Sequence, residues 1–332
     1  MNENIKALLE GLKIGRKQSH GNLAMFPVLS AYSPDIDYLL LDEALKSGVI
    51  EIAEVEKEGS VPELRVKNSS PGMILILDGE ELVGAKQNRI VNTTILVRGN
   101  STVIIPVSCV EMGRWSYSSP SFSSDEHLMS SSMRAMKSEQ VRSSLRSSGN
   151  FVADQGAIWD EISEKAYRRN AESPSMAMNE IYKKDRQSVD EYISHFRMTE
   201  SQTGAIFMIN GKVAGIDTFG KTDTFKKIFR KLLESYALDA VDWFETGRKY
   251  ENRKDKVTGF IQDALQCETD ARQSVGLGTD LRMESEKITG FALALDDMIL
   301  HLSLFAKANV KGKAERSSRM SRYSRRRTHR IY

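Results

Sequence analysis

Between Asp78 and Trp115 the chain sets ionisable and amide side chains among β-branched and aliphatic residues: DGEELVGAKQNRIVNTTILV, a turn, then TVIIPVSCVEMGRW. If they converge, Lys86, Arg89 and Arg114 make a cationic pocket for phosphate or carboxylate. Arginine can bind such groups bidentately, and Asn88 and Asn92 supply neutral donors. Trp115 can stack on a base, which makes the whole a candidate site for a small nucleotide-like ligand. Glu81 and Glu111 are the candidate general acid and base. That task requires burial or a second carboxylate to bring a carboxyl towards neutrality. Cys109 shares a strand face with Val107 and Glu111 by alternation, and it reads as a small hydrophobe because no histidine lies nearby to activate it.

The apolar stretches on either side, Met73 to Leu77 and Thr94 to Val97, have the residue bias of strands. Glu80, Glu81, Lys86, Asn88, Arg89 and Asn92 therefore interrupt a hydrophobic core. Two arrangements avoid the cost of burying them unpaired. Either they satisfy one another in a closed network, or they face a cleft where a ligand completes the pairing.

The elements that must hold these residues are short strands. Leu23 to Leu29, Ile50 to Glu56, Glu63 to Asn68, Met73 to Leu77, Thr93 to Arg98 and Thr102 to Glu111 are separated by Gly, Ser, Pro and Asn turn signals. Residues 1–115 thus form a β-rich part that carries the polar cluster. Residues 116–150 are expected to be a flexible loop, since 116–148 hold 14 serines and little apolar periodicity. Helical spacing resumes over Asp154 to Asn170, Ser175 to Arg186 and Val189 to Phe196, with Trp159 and Tyr167 expected as core anchors. Asn210-Gly211 between AIFMI and KVAGIDTF signals a hairpin. A helix to about Ala240, another over Lys256 to Leu265, and three closing strands complete the segment 151–306. Among those strands Asp280, Arg282, Glu284 and His301 are expected to form a cross-strand ion-pair ladder, with membership of the polar cluster as the alternative. The fold class is α+β, with largely antiparallel sheets at both ends and a helical middle section.

The composition is that of a globular protein: 40% hydrophobic and 28% charged. No apolar run reaches the ~18 residues of a spanning helix, and the start of the chain lacks a secretory signal, so a cytoplasmic protein without membrane contact is expected. Cys109 and Cys267 have no metal-ligand spacing and the five histidines are scattered, which supports neither a disulfide framework nor a metal site. VGLGTD at 275–280 lacks the Walker lysine and the third Rossmann glycine, and the sequence names no cofactor. The net charge of +2 conceals an asymmetry. Residues 307–332 carry ten Lys or Arg against Glu315 alone, which leaves the remainder at −7. This segment is expected to be a basic disordered tail, able to contact nucleic acid through phosphates.

Four stretches carry a family likeness: GEELVGAKQNRIVNTTILV at 79–97, IPVSCVEMGRW at 105–115, residues 211–240, and GLGTDLRMESEKITGFAL with HLSLF within 276–305. The helix start Gln155-Gly156-Ala157-Ile158-Trp159 adds to them. Together they resemble the ARG- and rhodanese-phosphatase-associated protein domain family, whose genomic company includes ADP-ribosylglycohydrolases. The resemblance implies a hydrolase or transferase acting on nucleotide or ADP-ribose-related compounds. The alternative expectation is a non-catalytic binding or scaffold protein.

Overall fold

Side chains alternate along the strand Leu23–Leu29: Leu23 and Met25 enter one core, while Ala24, Phe26 and Val28 enter another. A strand apolar on both faces must be covered on both. In the computed structural model, which describes residues 1–56, 60 and 62–307, that strand lies inside a nine-stranded antiparallel sheet. The order across it is Lys13–Ile14, Leu23–Leu29, Gln202–Ile209, Lys212–Phe219, Met298–Ala306, Ile288–Leu295, Thr279–Glu284 and Glu268–Gln273, with Gln18–His20 also pairing the second. Helices Ser131–Ser148, Gln155–Arg169, Asn179–Ser194 and Thr222–Asp242 share the core on one face, through Met133, Ile158, Ile181 and Leu232. Helices Glu3–Gly11 and Lys254–Leu265 supply Ile5, Leu8, Val257 and Ile261 to the other.

A third core lies between two smaller sheets. One has six antiparallel strands in the order Phe122–Leu128, Glu80–Gly84, Arg89–Val91, Ser101–Cys109, Glu63–Asn68 and Ile50–Glu54. The other has Ile95–Val97, Met73–Ile76 and Tyr38–Leu40, the last pair parallel. Leu82, Val91 and Val107 of the first meet Ile74, Ile76 and Ile95 of the second.

The α+β class and the helical middle section stand, while several elements differ from expectation. The serine-rich stretch is a strand and an 18-residue helix in place of a loop. Its inward stripe contains Met133, Val141 and Leu145, but also Arg134, Lys137 and Ser138, all buried. Apolar periodicity cannot reveal a helix whose inner face is half charged. One helix, Asn179–Ser194, replaces the two expected over that region. Trp159 is half-buried, whereas Tyr167 is 78% exposed, off the buried stripe Ile158, Ile162 and Lys165. The turn Asn210-Gly211 has φ of 52° and 73°, as a type I′ hairpin requires. The basic tail at 308–332 lies outside the described residues, and Lys307 pairs with Glu284. Among the described residues no helix is long and apolar enough to cross a membrane.

The charged inner face of Ser131–Ser148 is matched by charges on the large sheet. Arg134 Nη2 donates to Asp217 Oδ1 at 2.6 Å and to Ser303 Oγ at 3.0 Å. Tyr236 donates to Asp217 Oδ2 at 2.8 Å, and His301 Nε2 stands 3.5 Å from Oδ1. Lys137 Nζ pairs with Asp78, and Thr94 bridges the Asp78 amide to His301 Nδ1 at 3.0 and 2.8 Å. Alongside, Arg282 pairs with Asp280 at 2.6 Å, and both bond Thr93. Asp280 and Arg282 thus pair along one strand, Glu284 pairs with Arg142 and Lys307, and no cross-strand ladder of the expected four forms. Burial alone would raise the Asp217 carboxyl, but Arg134 and His301 outweigh it and hold it well below the usual range.

Removing one partner of such a pair leaves a charge stranded. Asp217→Asn should cost ~3–5 kcal/mol in urea unfolding, and Arg134→Met in the same chain should recover much of that loss. A loss under ~1 kcal/mol for the single variant would show that water reaches Arg134.

Candidate functional site

The polar cluster grows from the hairpin Glu80–Gly84 and Arg89–Val91. Its register sets Glu81 opposite Ile90 and Leu82 opposite Arg89. Pleating then sends Glu81 and Ile90 to one face, and Leu82 and Arg89 to the other. The next strand puts Cys109 directly across from Arg89. The connection turns at Gly84, whose φ of 126° suits glycine, and a Cβ there would meet Ser119 Oγ at 2.4 Å.

Arg114 ties this connection to the segment after Glu111. Its Nη1 donates to the carbonyls of Ala85 at 2.6 Å and Ser116 at 2.9 Å, and to Ser118 Oγ at 3.1 Å. Its Nη2 reaches Glu111 Oε2 at 2.6 Å and Asn88 Oδ1 at 3.1 Å. Glu111 also accepts the Asn88 amide at 3.0 Å and Ser175 Oγ at 2.7 Å. Burial would raise the Glu111 carboxyl, but the bonds from Arg114, Ser175 and Asn88 prevail and hold it below the ordinary carboxylate value. Glu111 is therefore an ionised anchor.

At the edge of this clasp, Lys86 Nζ lies 5.2 Å from the ring centre of Trp115 and 5.3 Å from that of Tyr117. The rings are 48% and 52% exposed. The Arg89 guanidinium, itself 0% exposed, lies 5.7 Å from the Trp115 ring. Gln87 Oε1 accepts from Arg89 Nη1 at 3.0 Å and from Cys109 Sγ at 3.2 Å. Gln155, at the start of its helix, holds both backbone groups of Cys109 at 2.7 Å.

Lys86, Asn88, Arg89, Glu111, Arg114 and Trp115 are thus brought together. Glu81 borders them from the opposite face through Asn88 and Glu111. Asn92 stands apart, accepting from Ser108 at 2.8 Å and donating to the Phe151 carbonyl at 3.0 Å. Sequence reasoning missed Gln87, Tyr117, Gln155 and Ser175. Gln87 and Tyr117 lay within or beside the scanned stretch, while Gln155 and Ser175 come from remote segments with no local signal. Among the described residues no group of three or more His, Cys, Asp or Glu could hold a metal ion.

Glu81 is 0% exposed, and neither carboxyl oxygen has a well-aligned hydrogen-bond donor. Burial pushes its carboxyl well above the usual value, Asp125 and Glu111 add repulsion, and the nearby Asn88 amide opposes the rise only in part. Folded Glu81 keeps its proton where the unfolded chain has lost it, so stability declines as pH rises above about 4.3. Glu81→Gln cannot ionise and escapes the decline. Its unfolding free energy in urea should exceed that of the parent increasingly as pH rises above about 4.5, by at most ~1.4 kcal/mol per pH unit. A difference independent of pH would mean that Glu81 is solvated.

Neither the curated proteins nor the solved structures include a match to this chain. A family does match, over residues 11–305, a span that takes in all three sheets and every residue of the clasp. The chain belongs to the family described as the ARG and Rhodanese-Phosphatase-superfamily-associated Protein domain.

Proposed function

We propose that the cluster binds a nucleotide-class ligand, a planar base carrying an anionic group, with Trp115 and Tyr117 as the stacking surface. One observation carries this reading: two half-exposed aromatic rings stand over the same Lys86 ammonium, at the edge of a buried polar cluster. An exposed ring beside fixed cations suits a base with an attached phosphate, since stacking on an aromatic side chain contributes ~1–3 kcal/mol per base. The family's association with ADP-ribosylglycohydrolases makes ADP-ribose the first compound to try. Titration with ADP-ribose and ADP should quench tryptophan fluorescence and raise the melting temperature, because a ligand that binds only the native state stabilises it. Trp115→Ala should weaken binding at least ~10-fold. Unchanged affinity in that variant would favour a scaffold role for the cluster.

A second reading, hydrolysis or transfer on the bound ligand, is favoured by the opposite perturbation of two neighbouring carboxyls. Glu81 is held protonated and Glu111 ionised, the division of labour that acid–base chemistry uses. In that reading Glu81→Gln lowers turnover of an ADP-ribose-type substrate ~10²–10⁴-fold with binding retained. Equal turnover in the variant and the parent would end it.

A further inference from the structure

Among the described residues, five deeply enclosed cations are each paired with a carboxylate. Arg134 has Asp217, Lys137 has Asp78, Lys165 has Asp239 and Asp242, Lys231 has Glu80 and Asp42, and Arg282 has Asp280. Arg89 is likewise shielded from solvent, at 0% exposure, yet among the described residues no carboxylate stands at ion-pair distance from it. Leaving a buried charge without its partner costs ~3–5 kcal/mol. A chain that answers this requirement at five other buried cations leaves it unanswered here.

The geometry of Arg89 shows what is missing. Nη1 is occupied by Gln87 Oε1 and, at 3.5 Å, by the Asn88 carbonyl. Nε and Nη2 have no acceptor. These two nitrogens form one edge of the guanidinium, the fork that meets two oxygens of a single oxyanion. Cys109 faces Arg89 across the strand pair, and the indole of Trp159 borders the Cys109 sulfur. Trp159 Nε1 is enclosed as well and faces the Cys109 sulfur. The Cys109 thiol donates to Gln87 Oε1, and burial pushes it up, so it stays neutral and supplies a wall without a counter-charge. Glu54 contributes a favourable field at Arg89 from beyond pairing distance, with its Oε1 turned to the Lys86 amide at 3.4 Å. Trp115 lies over the guanidinium on the outer side.

We infer that the Nε–Nη2 edge of Arg89 is an oxyanion seat that takes a phosphate of the ligand whose base stacks on Trp115. The assignment rests on the nucleotide-class reading for the base, while the anion seat can be tested without one. Trp115 then serves as both platform and cover, and the phosphate supplies the negative charge that the hairpin withholds.

The test compares the full chain with its Arg89→Met variant in thermal melts, with and without inorganic phosphate. Without phosphate, Arg89→Met should melt at or above the parent, because it removes an uncompensated charge. With saturating phosphate the parent should gain stability and the variant should not. Arg89→Lys keeps the charge but lacks the fork, and it should fold as the parent does while losing at least ~10-fold in phosphate affinity. If Arg89→Met lowers the melting temperature by the same margin in both conditions, Arg89 is structural and the proposal fails. Equal protection by acetate would likewise overturn the assignment to phosphate. Adenosine, which has no phosphate, separates the two readings. Phosphate protection that depends on Arg89, with no adenosine binding, keeps the seat and rejects the stacking platform. Adenosine binding lost in Trp115→Ala, with no phosphate protection, keeps the platform and rejects the seat.

Discussion

A charge taken out of water must meet an opposite charge, and the arrangement of this protein follows from how that requirement is met at its centre. Asp217 on the large sheet receives Arg134, Tyr236 and Ser303, and His301 stands beside it, while Lys137 one helical turn from Arg134 takes Asp78. These contacts join the Ser131–Ser148 helix to two sheets at once. Apolar contacts alone would let the helix slide or rotate, since they are non-directional. The paired carboxylates fix its register, and with it the position of the six-stranded sheet, whose edge strand Phe122–Leu128 ends just before that helix.

The same requirement is left open on the hairpin because of strand parity. Glu81 and Arg89 sit one position apart in register, close enough in sequence to neutralise each other, yet the pleat sends them to opposite faces. A one-residue slip would bring both to one side, but it would also turn Leu82 or Val91, whichever strand moved, out of the core they share. Hydrophobic burial therefore enforces a separation that electrostatics opposes. The outcome is an acid kept protonated on one face and an unpaired guanidinium on the other. Energetic cost of this kind persists where the surrounding structure over-determines it, which is a property of sites.

Most of the strands were legible because their signals are local. Leu23–Leu29, Glu63–Asn68 and the Asn210-Gly211 hairpin follow from residue type and turn chemistry within a few positions. The Ser131–Ser148 helix was not, because its buried face reads as polar until Asp78, Asp217 and Asp239 are known to oppose it. The site was legible in part for the same reason. Lys86, Arg89, Glu111, Arg114 and Trp115 announce themselves as polar or aromatic interruptions of sheet. Their division into anchor, unpaired cation and platform depends on hydrogen bonds from Ser175 and Gln155, about 60 and 45 positions further along, and no local pattern encodes these. Asn92 looked equivalent to Asn88 in sequence, but Asn88 lies in the connection before Arg89–Val91 with Arg114, and Asn92 follows that strand and bonds Ser108.

Arg114 and Arg89 are equivalent candidates by residue type, and the contacts of Arg114 argue for a division of work between them. Both terminal nitrogens of the Arg114 guanidinium are committed to Glu111, Asn88, Ser118 or the backbone of Gly84, Ala85 and Ser116. A guanidinium so engaged cannot take up a ligand without releasing the loop it holds. What it does instead is fix the chain on either side of Trp115, and Ser118 closes the same loop through its amide to the Ala85 carbonyl at 2.9 Å. A platform already held in place loses little conformational freedom on binding, so more of the stacking free energy appears as affinity. In the proposed nucleotide-binding role, ligand contact would fall to the two cations that flank the ring, Lys86 and Arg89, and of these only Arg89 has a guanidinium fork with no acceptor of its own.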